Sequence, residues 1–272
     1  MGRFPVAHSG SCGSRLSDAA VVNTPCVAIT GASGALGQAL LRRFHRRGAR
    51  LIGLSCGPRD LHLCDDSGQP IPLQDKTWCV GDEQRLRPLL ADVDILVLNH
   101  GINVYGARDR GACEQSLEVN ALSSWRLLEL YAEVVGERQA NADPAHPRPQ
   151  AEVWINTSEA EIQPALSPLY ELSKRLLGQL VSLRALDLAD DPAGPQLRIR
   201  RLVLGPFRSA LNPVGVMGAD FVASQILNQA QLGCNLIIVT PNPLTYLLMP
   251  LATLSRWLYF KLLTRANGGQ VQ

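Results

Sequence analysis

From Cys26 onward, short apolar runs alternate with longer stretches in which apolar positions recur every three or four residues. That alternation is the signature of repeated strand and helix units around a parallel sheet. The runs predict strands at Cys26–Thr30, Arg50–Ser55, Trp78–Val80, Asp94–Asn99, Glu152–Asn156, Leu197–Leu204 and Asn235–Thr240. The run DILVLN at Asp94–Asn99 is apolar on both faces, as a central parallel strand is. Amphipathic stretches predict helices over about Ala35–Gly48, Gln115–Val135, Pro168–Ala189 and Ala219–Gln231, and an unusually apolar one over Leu244–Arg265. Ser167 is the expected N-cap of the third, with Pro168 in the first turn, where its missing N–H is not needed. Gly136–Gln150, with three prolines, reads as a surface loop. The fold class expected is α/β: a Rossmann-type, doubly wound, mostly parallel seven-stranded sheet with helices on both faces.

Composition adds bounds. The 272 residues suit one large α/β domain, here 25–243, followed by an apolar helix and tail over 244–272. The Ser/Gly-rich stretch 1–24 reads as a disordered extension or an overlong start to the reading frame. It lacks a signal peptide's apolar stretch, and Val6 stands where a myristoylation signal needs Ser or Thr. Hydrophobic residues at 46% and charged residues at 18% are a globular balance. A net charge of +2, with no basic run, argues against a nucleic-acid partner. The seven scattered cysteines form no CxxC pair and no metal-ligand spacing, so reduced thiols, most of them small core residues, and a cytoplasmic location are expected, with no metal site.

Thr30-Gly31-Ala32-Ser33-Gly34-Ala35-Leu36-Gly37 follows the first strand and opens the first helix. A dinucleotide needs such a turn, because its pyrophosphate must approach backbone N–H groups at a helix start where a side chain would block it. Thr30, Gly31, Ser33, Gly34, Leu36 and Gly37 are therefore candidate cofactor contacts. The acidic residue that would hold a ribose 2′-hydroxyl should end the second strand, but that position reads Ser55-Cys56. Ser55 as donor and Arg59 as cation suit a 2′-phosphate, which favours NADP(H) over NAD(H). Arg59 is alternatively a solvated loop residue.

Tyr170 and Lys174 lie one helical turn apart on one face. A cation held there lowers the phenol's pKa and lets it donate and accept a proton near neutrality. Ser158, just past the fifth strand, faces the same crevice at the strands' carboxyl ends. Asn120, in the helix after strand four, can carry a water or carbonyl link towards Lys174. Taken singly, these are a packed ring, a solvated charge and a helix cap; jointly they are a proton relay.

With these pieces in order, the chain from about Pro25 to Thr240 resembles the short-chain dehydrogenase/reductase superfamily. The matching pieces are TGASGALG at Thr30, LNHG at Leu98, Asn120, Ser158, YELSK at Tyr170 and the pair Gly205-Pro206. The resemblance implies Tyr170 as catalytic acid/base and Lys174 as its helper on the nicotinamide ribose. It further implies that Ser158 orients the substrate oxygen and Asn120 supports the relay. Asn99, Gly101, Gly205 and Pro206 would lie beside the cofactor, the substrate would be a small-molecule carbonyl or alcohol, and a homodimer would form through the helices flanking strand five. His100 departs from the family's small residue and reads as a packed residue tuning the crevice or as a substrate contact. The glycine spacing resembles atypical branches, and Glu159 and Glu161 read as surface acids or as recognition of a polar feature of the substrate. A narrower resemblance, carried by NHGINV, VWINTSEAEI, SPLYELSK, LGPF and TPNPLTYLL, is to cyanobacterial reductases labelled "bifunctional sterol desaturase/short chain dehydrogenase". The chain lacks the clustered histidine boxes of a desaturase, so only the reductase half is carried over.

Cys234–Ser255 has no charge, but Asn235, Asn242 and three prolines interrupt it, which argues against a membrane span. Beyond Pro250, Leu251, Leu258, Tyr259 and Leu262 are expected to cover the sheet. The other face, with Leu254, Trp257 and Phe260 among Arg256, Lys261 and Arg265, suits a membrane interface through 251–265 or a dimer contact. A membrane contact would make the substrate lipid-like and the enzyme peripheral to the cytoplasmic membrane face. Two further function classes stay open: a non-catalytic dinucleotide sensor or scaffold, and an epimerase or dehydratase using transient oxidation.

Overall fold

A computed structural model describes residues 24–57, 61–143 and 148–263. Seven parallel strands form one sheet in the order β3-β2-β1-β4-β5-β6-β7. They are β1 Cys26–Thr30, β2 Arg50–Ser55, β3 Gln74–Thr77, β4 Ile95–Leu98, β5 Ala151–Ser158, β6 Leu197–Leu204 and β7 Leu236–Val239. The helices are α1 Ala35–His45, α2 Arg87–Leu90, α3 Arg110–Leu117, α4 Ser123–Ala140, α5 Pro168–Asp190, α6 Ala219–Gln231 and α7 Pro243–Leu263.

Successive strand residues point to opposite faces, so each inner strand feeds two cores. Val27 and Ile29 of β1, with Val97, Leu202 and Ile237, pack under α1 and α6. Ala28, Leu96, Val153 and Ile155 pack under α4 and α5, where Leu127, Tyr131, Leu177 and Val181 are buried. A third, smaller cluster joins Val203 and Ile238 to Met249 of α7. Because all strands run the same way, the segments after β1, β4, β5, β6 and β7 emerge at one edge of the sheet. The site is built there.

Several expectations shift. The third strand is not Trp78–Val80 but Gln74–Thr77, all four residues exposed. It pairs only with β2 at the sheet edge, so it needs no apolar side and leaves no periodic signal; Trp78 follows it and is buried. The helix expected at Gln115–Val135 begins at Arg110, where Asp109 caps it by accepting from Ala112 N–H at 3.0 Å, and runs on to Ala140 through a π turn at Glu118–Leu122. Ser167 precedes α5, but its hydroxyl donates to the Tyr105 carbonyl at 2.8 Å instead of capping the helix. Among the described cysteines only Cys26 is buried, while Cys56, Cys64 and Cys79 are exposed. The expected extension 1–24, apart from Thr24, and Arg59 lie outside the described residues.

Candidate active site

The glycine turn leaves β1 at Thr30, which is wholly buried. Gly31 has φ +63°, a left-handed conformation that disfavours other residues. A Cβ on Gly37 would lie 2.3 Å from the Gly31 carbonyl oxygen, so only glycine lets α1 start this close under the turn. No side chain caps α1 at Gly34, which is exposed, as is Ala35. The first-turn N–H groups are thus left to a ligand, and an anion is the natural one. Leu36 is buried with its side chain in the core, so its contribution to a ligand would come from the backbone; Ser33 is half-buried. At the end of β2, Ser55 is 2% exposed and its hydroxyl has no partner. An orphaned buried hydroxyl beside an uncapped helix start fits a dinucleotide ribose.

On the far side of β1 a polar chain crosses the crevice. Lys174 of α5 is 4% exposed and donates from Nζ to the Asn156 carbonyl at 2.9 Å. The Asn156 side chain donates to Asn99 Oδ1 at 2.9 Å, and the Asn99 backbone N–H donates to Thr30 Oγ1 at 2.9 Å. The turn and the amine are therefore joined through the ends of β1, β4 and β5. Asn156 went unnoticed in the sequence; its one signal was an amide at the end of a central strand.

Tyr170 sits above Lys174 on α5, with Nζ 5.6 Å from its ring centroid. Its hydroxyl hydrogen-bonds Ser158, whose Oγ also accepts from Ala160 N–H at 3.2 Å. Burial pushes the Tyr170 phenol up, and the Ser158 hydroxyl draws it back down. In the chain itself Ser158, rather than Lys174, is the group that opposes burial. Burial lowers Lys174 to about 8, with Glu161 pulling the other way. Tyr170, Lys174 and Ser158 are brought together as expected.

Asn120 is wholly buried. It lies in the π turn, and its side chain brackets Ile102, accepting from the N–H at 2.8 Å and donating to the carbonyl at 3.0 Å. It also donates to Ser173 at 3.1 Å. Its amide thus pins the loop after β4 to α5. Gly101 lies against it, since a Cβ there would be 3.0 Å from Asn120 Oδ1. Gly205 follows β6 and lies against Thr240, and the Pro206 carbonyl accepts from Val216 N–H at 3.0 Å, closing the next loop on itself.

The residues left open by sequence acquire places. His100 is the packed residue: Nδ1 lies 2.8 Å from Thr30 Oγ1, Nε2 lies 3.2 Å from Ser123 Oγ, and the ring meets Trp78 edge-on at 5.1 Å. Burial, with Lys174 adding to it, lowers the imidazole to about 3, so it is neutral at physiological pH. Glu159 and Glu161 are not surface acids. Glu159 accepts from Thr240 Oγ1 at 2.6 Å and from Thr245 Oγ1 at 3.2 Å. Glu161 is 1% exposed and pairs with both Arg201 of β6 and Arg256 of α7.

No protein-family model matches the chain. Solved structures match over most of its length. A short-chain dehydrogenase of Burkholderia cenocepacia in complex with NADP has a TM-score of 0.65 at 16% identity, covering 89% of this chain and 99% of that one. A short-chain dehydrogenase of Sphingobium yanoikuyae in complex with NADPH has a TM-score of 0.66 at 17%, covering 90% and 99%. A bulky-bulky ketone specific alcohol dehydrogenase of Comamonas testosteroni has a TM-score of 0.67 at 17%, covering 91% and 98%. The chain has the fold of the short-chain dehydrogenase/reductase superfamily. In sequence it is 44% identical over 242 residues to a monoglucosyldiacylglycerol epimerase of Synechocystis sp., covering 89% of this chain. It spans 55% of that protein's length.

Proposed function

We propose that the chain is an NADP(H)-dependent enzyme of this superfamily that transfers hydride at a secondary carbinol, with Tyr170 as acid/base. The observation that carries the reading is the continuous arrangement of Ser158, Tyr170, Lys174 and Asn156 at the sheet's carboxyl edge, opposite an uncapped helix start. The turn at Thr30–Gly37, with Asn99, Gly101, Gly205 and Pro206, would hold the dinucleotide, and Ser55 would meet its ribose. When bound, the nicotinamide supplies the hydride acceptor and donor. Ser158 holds the substrate oxygen beside Tyr170, whose phenolate takes the proton as the carbinol is oxidised and whose hydroxyl returns it on reduction. Lys174, kept in place by the Asn156 carbonyl, stabilises the phenolate that stands before the oxidation and again after the reduction. Asn120 positions the loop over which the substrate lies.

The sequence likeness to a glycolipid epimerase supports a narrower form of the reading. The substrate is a sugar hydroxyl on a lipid, oxidised to a ketone and reduced on its other face, so no hydride acceptor is consumed overall. The reading extends to a homodimer through α4 and α5, with Leu172 and Leu183 exposed on α5.

The test is epimer formation from monoglucosyldiacylglycerol with substoichiometric NADP. Tyr170→Phe should lower turnover by about a hundredfold or more while NADPH still binds. Undiminished turnover in Tyr170→Phe would refute the assignment. Stoichiometric loss of NADPH absorbance with a ketone panel, and no epimer, would replace epimerisation by net reduction.

A further inference from the structure

Helix α7 is amphipathic the wrong way round for water. The stripe that faces the protein is Thr245, Met249, Ala252 and Arg256, spaced as one helical face. Its polar members are tied down: Thr245 donates to Glu159 at 3.2 Å and accepts from the Gln163 amide at 2.8 Å, and Arg256 pairs with buried Glu161. The outward face holds the leucines. Leu247 is 61% exposed and Leu262 is 69% exposed, with Leu251, Leu254 and Leu258 between them. The face expected to cover the sheet is therefore the one turned to solvent. It is displaced because half-buried Glu159 and buried Glu161 claim the polar side of the helix.

The apolar surface does not stop at the helix. The N-terminus of α7 stands at the crevice edge, where Asn242 donates to Gln163 at 2.6 Å. Around that edge Leu166 is fully exposed and Val214 is 80% exposed, on the segments after β5 and β6. These loops are stitched together, Asn103 donating to the Leu211 carbonyl at 3.3 Å and Ser167 to the Tyr105 carbonyl at 2.8 Å. Apolar side chains exposed both at the mouth and along a 21-residue helix mark an interaction site.

We infer that α7 and the loop tips Leu166 and Val214 lay the crevice mouth on a lipid bilayer surface. This deepens the proposed function and rests on its lipid substrate. Three observations choose lipid over a second copy of the chain. No acidic residue follows Asp220, and Lys261, about half exposed beside Asp190, is the cation on the outer part of α7, so this helix suits an anionic or neutral headgroup layer. Tyr246, Trp257 and Tyr259 are exposed among the leucines, and such rings favour the boundary between headgroup and acyl chain. A symmetric pairing of α7 helices would leave the loop tips uncovered, while a plane of lipid reaches both. No helix among the described residues is long and apolar enough to cross a membrane, so α7 lies in the interface with Arg256 turned inward to the protein. The interface is thus wider than 251–265, and it begins at the active-site rim.

The experiment uses the full chain with vesicles of phosphatidylcholine, alone or mixed with phosphatidylglycerol. Expected are flotation with vesicles and a blue shift of fluorescence that Trp257→Phe removes. Leu247→Glu with Leu251→Glu should weaken vesicle binding about tenfold or more. The variant should keep its circular dichroism and its turnover of a water-soluble short-chain glucosyl glyceride, while turnover of vesicle-borne glycolipid falls. Wild-type chain that stays in the soluble fraction would overturn the inference, as would a dimer in sedimentation that the double variant converts to monomer. Failure of wild type to turn over the soluble analogue would instead refute the proposed function.

Discussion

Replacing Glu161 tests whether the buried charge beneath the active helix holds the fold together. Its carboxylate meets Arg201 and Arg256, whose side chains are 8% and 14% exposed. Gly178 makes room for it, since a Cβ there would sit 2.1 Å from Glu161 Cδ. Glu161→Gln keeps the shape and removes the charge, leaving two buried guanidiniums with no counter-ion. Breaking a buried pair by removing one partner costs about 3–5 kcal/mol. Because Arg256 is nearer the surface and can turn outward, the loss belongs within that range and does not double. At roughly 2–4 °C per kcal/mol for a chain of this size class, the midpoint of thermal unfolding should fall by roughly 6–20 °C. Circular dichroism melts at neutral pH measure it, and repetition at high salt should leave most of the drop, since buried pairs are weakly screened. Arg256→Leu should cost less than half as much, because Glu161 keeps Arg201. The basic limb of the turnover profile should also move to lower pH in Glu161→Gln, since Glu161 opposes the lowering of Lys174. A midpoint within about 2 °C of wild type, on the same scale, would refute the reasoning.

Three further outcomes follow from the site. Ser55→Asp should weaken NADPH binding more than NADH binding, because a carboxylate at the end of β2 repels a 2′-phosphate and accepts from a 2′-hydroxyl; fluorescence titration with both nucleotides measures the ratio. Gly37→Ala forces a methyl towards a carbonyl oxygen now 2.3 Å from its position, so it should destabilise the chain by about 1–3 kcal/mol and weaken nucleotide binding. His100 is lowered from 6.5 to about 3, so between those values the unfolded chain binds the extra proton and the folded chain does not. Its contribution to stability is therefore full above about pH 6.5 and is lost as pH falls towards 3. The wild-type melting midpoint should drop more steeply over that window than that of His100→Asn; equal slopes would remove His100 as the cause.

What the sequence made legible was local. The turn at Gly31, the pair Tyr170 and Lys174, and strands such as Arg50–Ser55 and Leu197–Leu204 declare themselves within a few neighbouring positions, because a sharp turn, a helical repeat or a buried run constrains adjacent residues. What it hid was relational. Glu161 reads as one more acid after a strand until Arg201, 40 positions on, and Arg256, 95 positions on, are seen to converge on it. Asn120 fits the expected position, yet that its amide holds Ile102, 18 positions back, and Ser173, 53 positions on, is written in no local pattern.

The C-terminal helix shows the same limit more sharply, and it bears on function. Counting apolar positions on α7 gives two faces of similar character, and hydrophobicity alone assigns the leucine-rich one to the core. The structure reverses that assignment because three polar anchors, Thr245, Asn242 and Arg256, bond to Glu159, Gln163 and Glu161, all in the segment that follows Ser158. A helix free to roll would bury its leucines; one fixed by buried charge cannot. The two acids that departed from the superfamily pattern thus have one physical consequence: they hold an apolar surface outward within a few residues of Ser158, the residue to which the proposed function gives the substrate oxygen. A reductase for water-soluble ketones has no use for that arrangement, whereas an enzyme whose sugar substrate is anchored in lipid needs its mouth and its apolar face joined in this way.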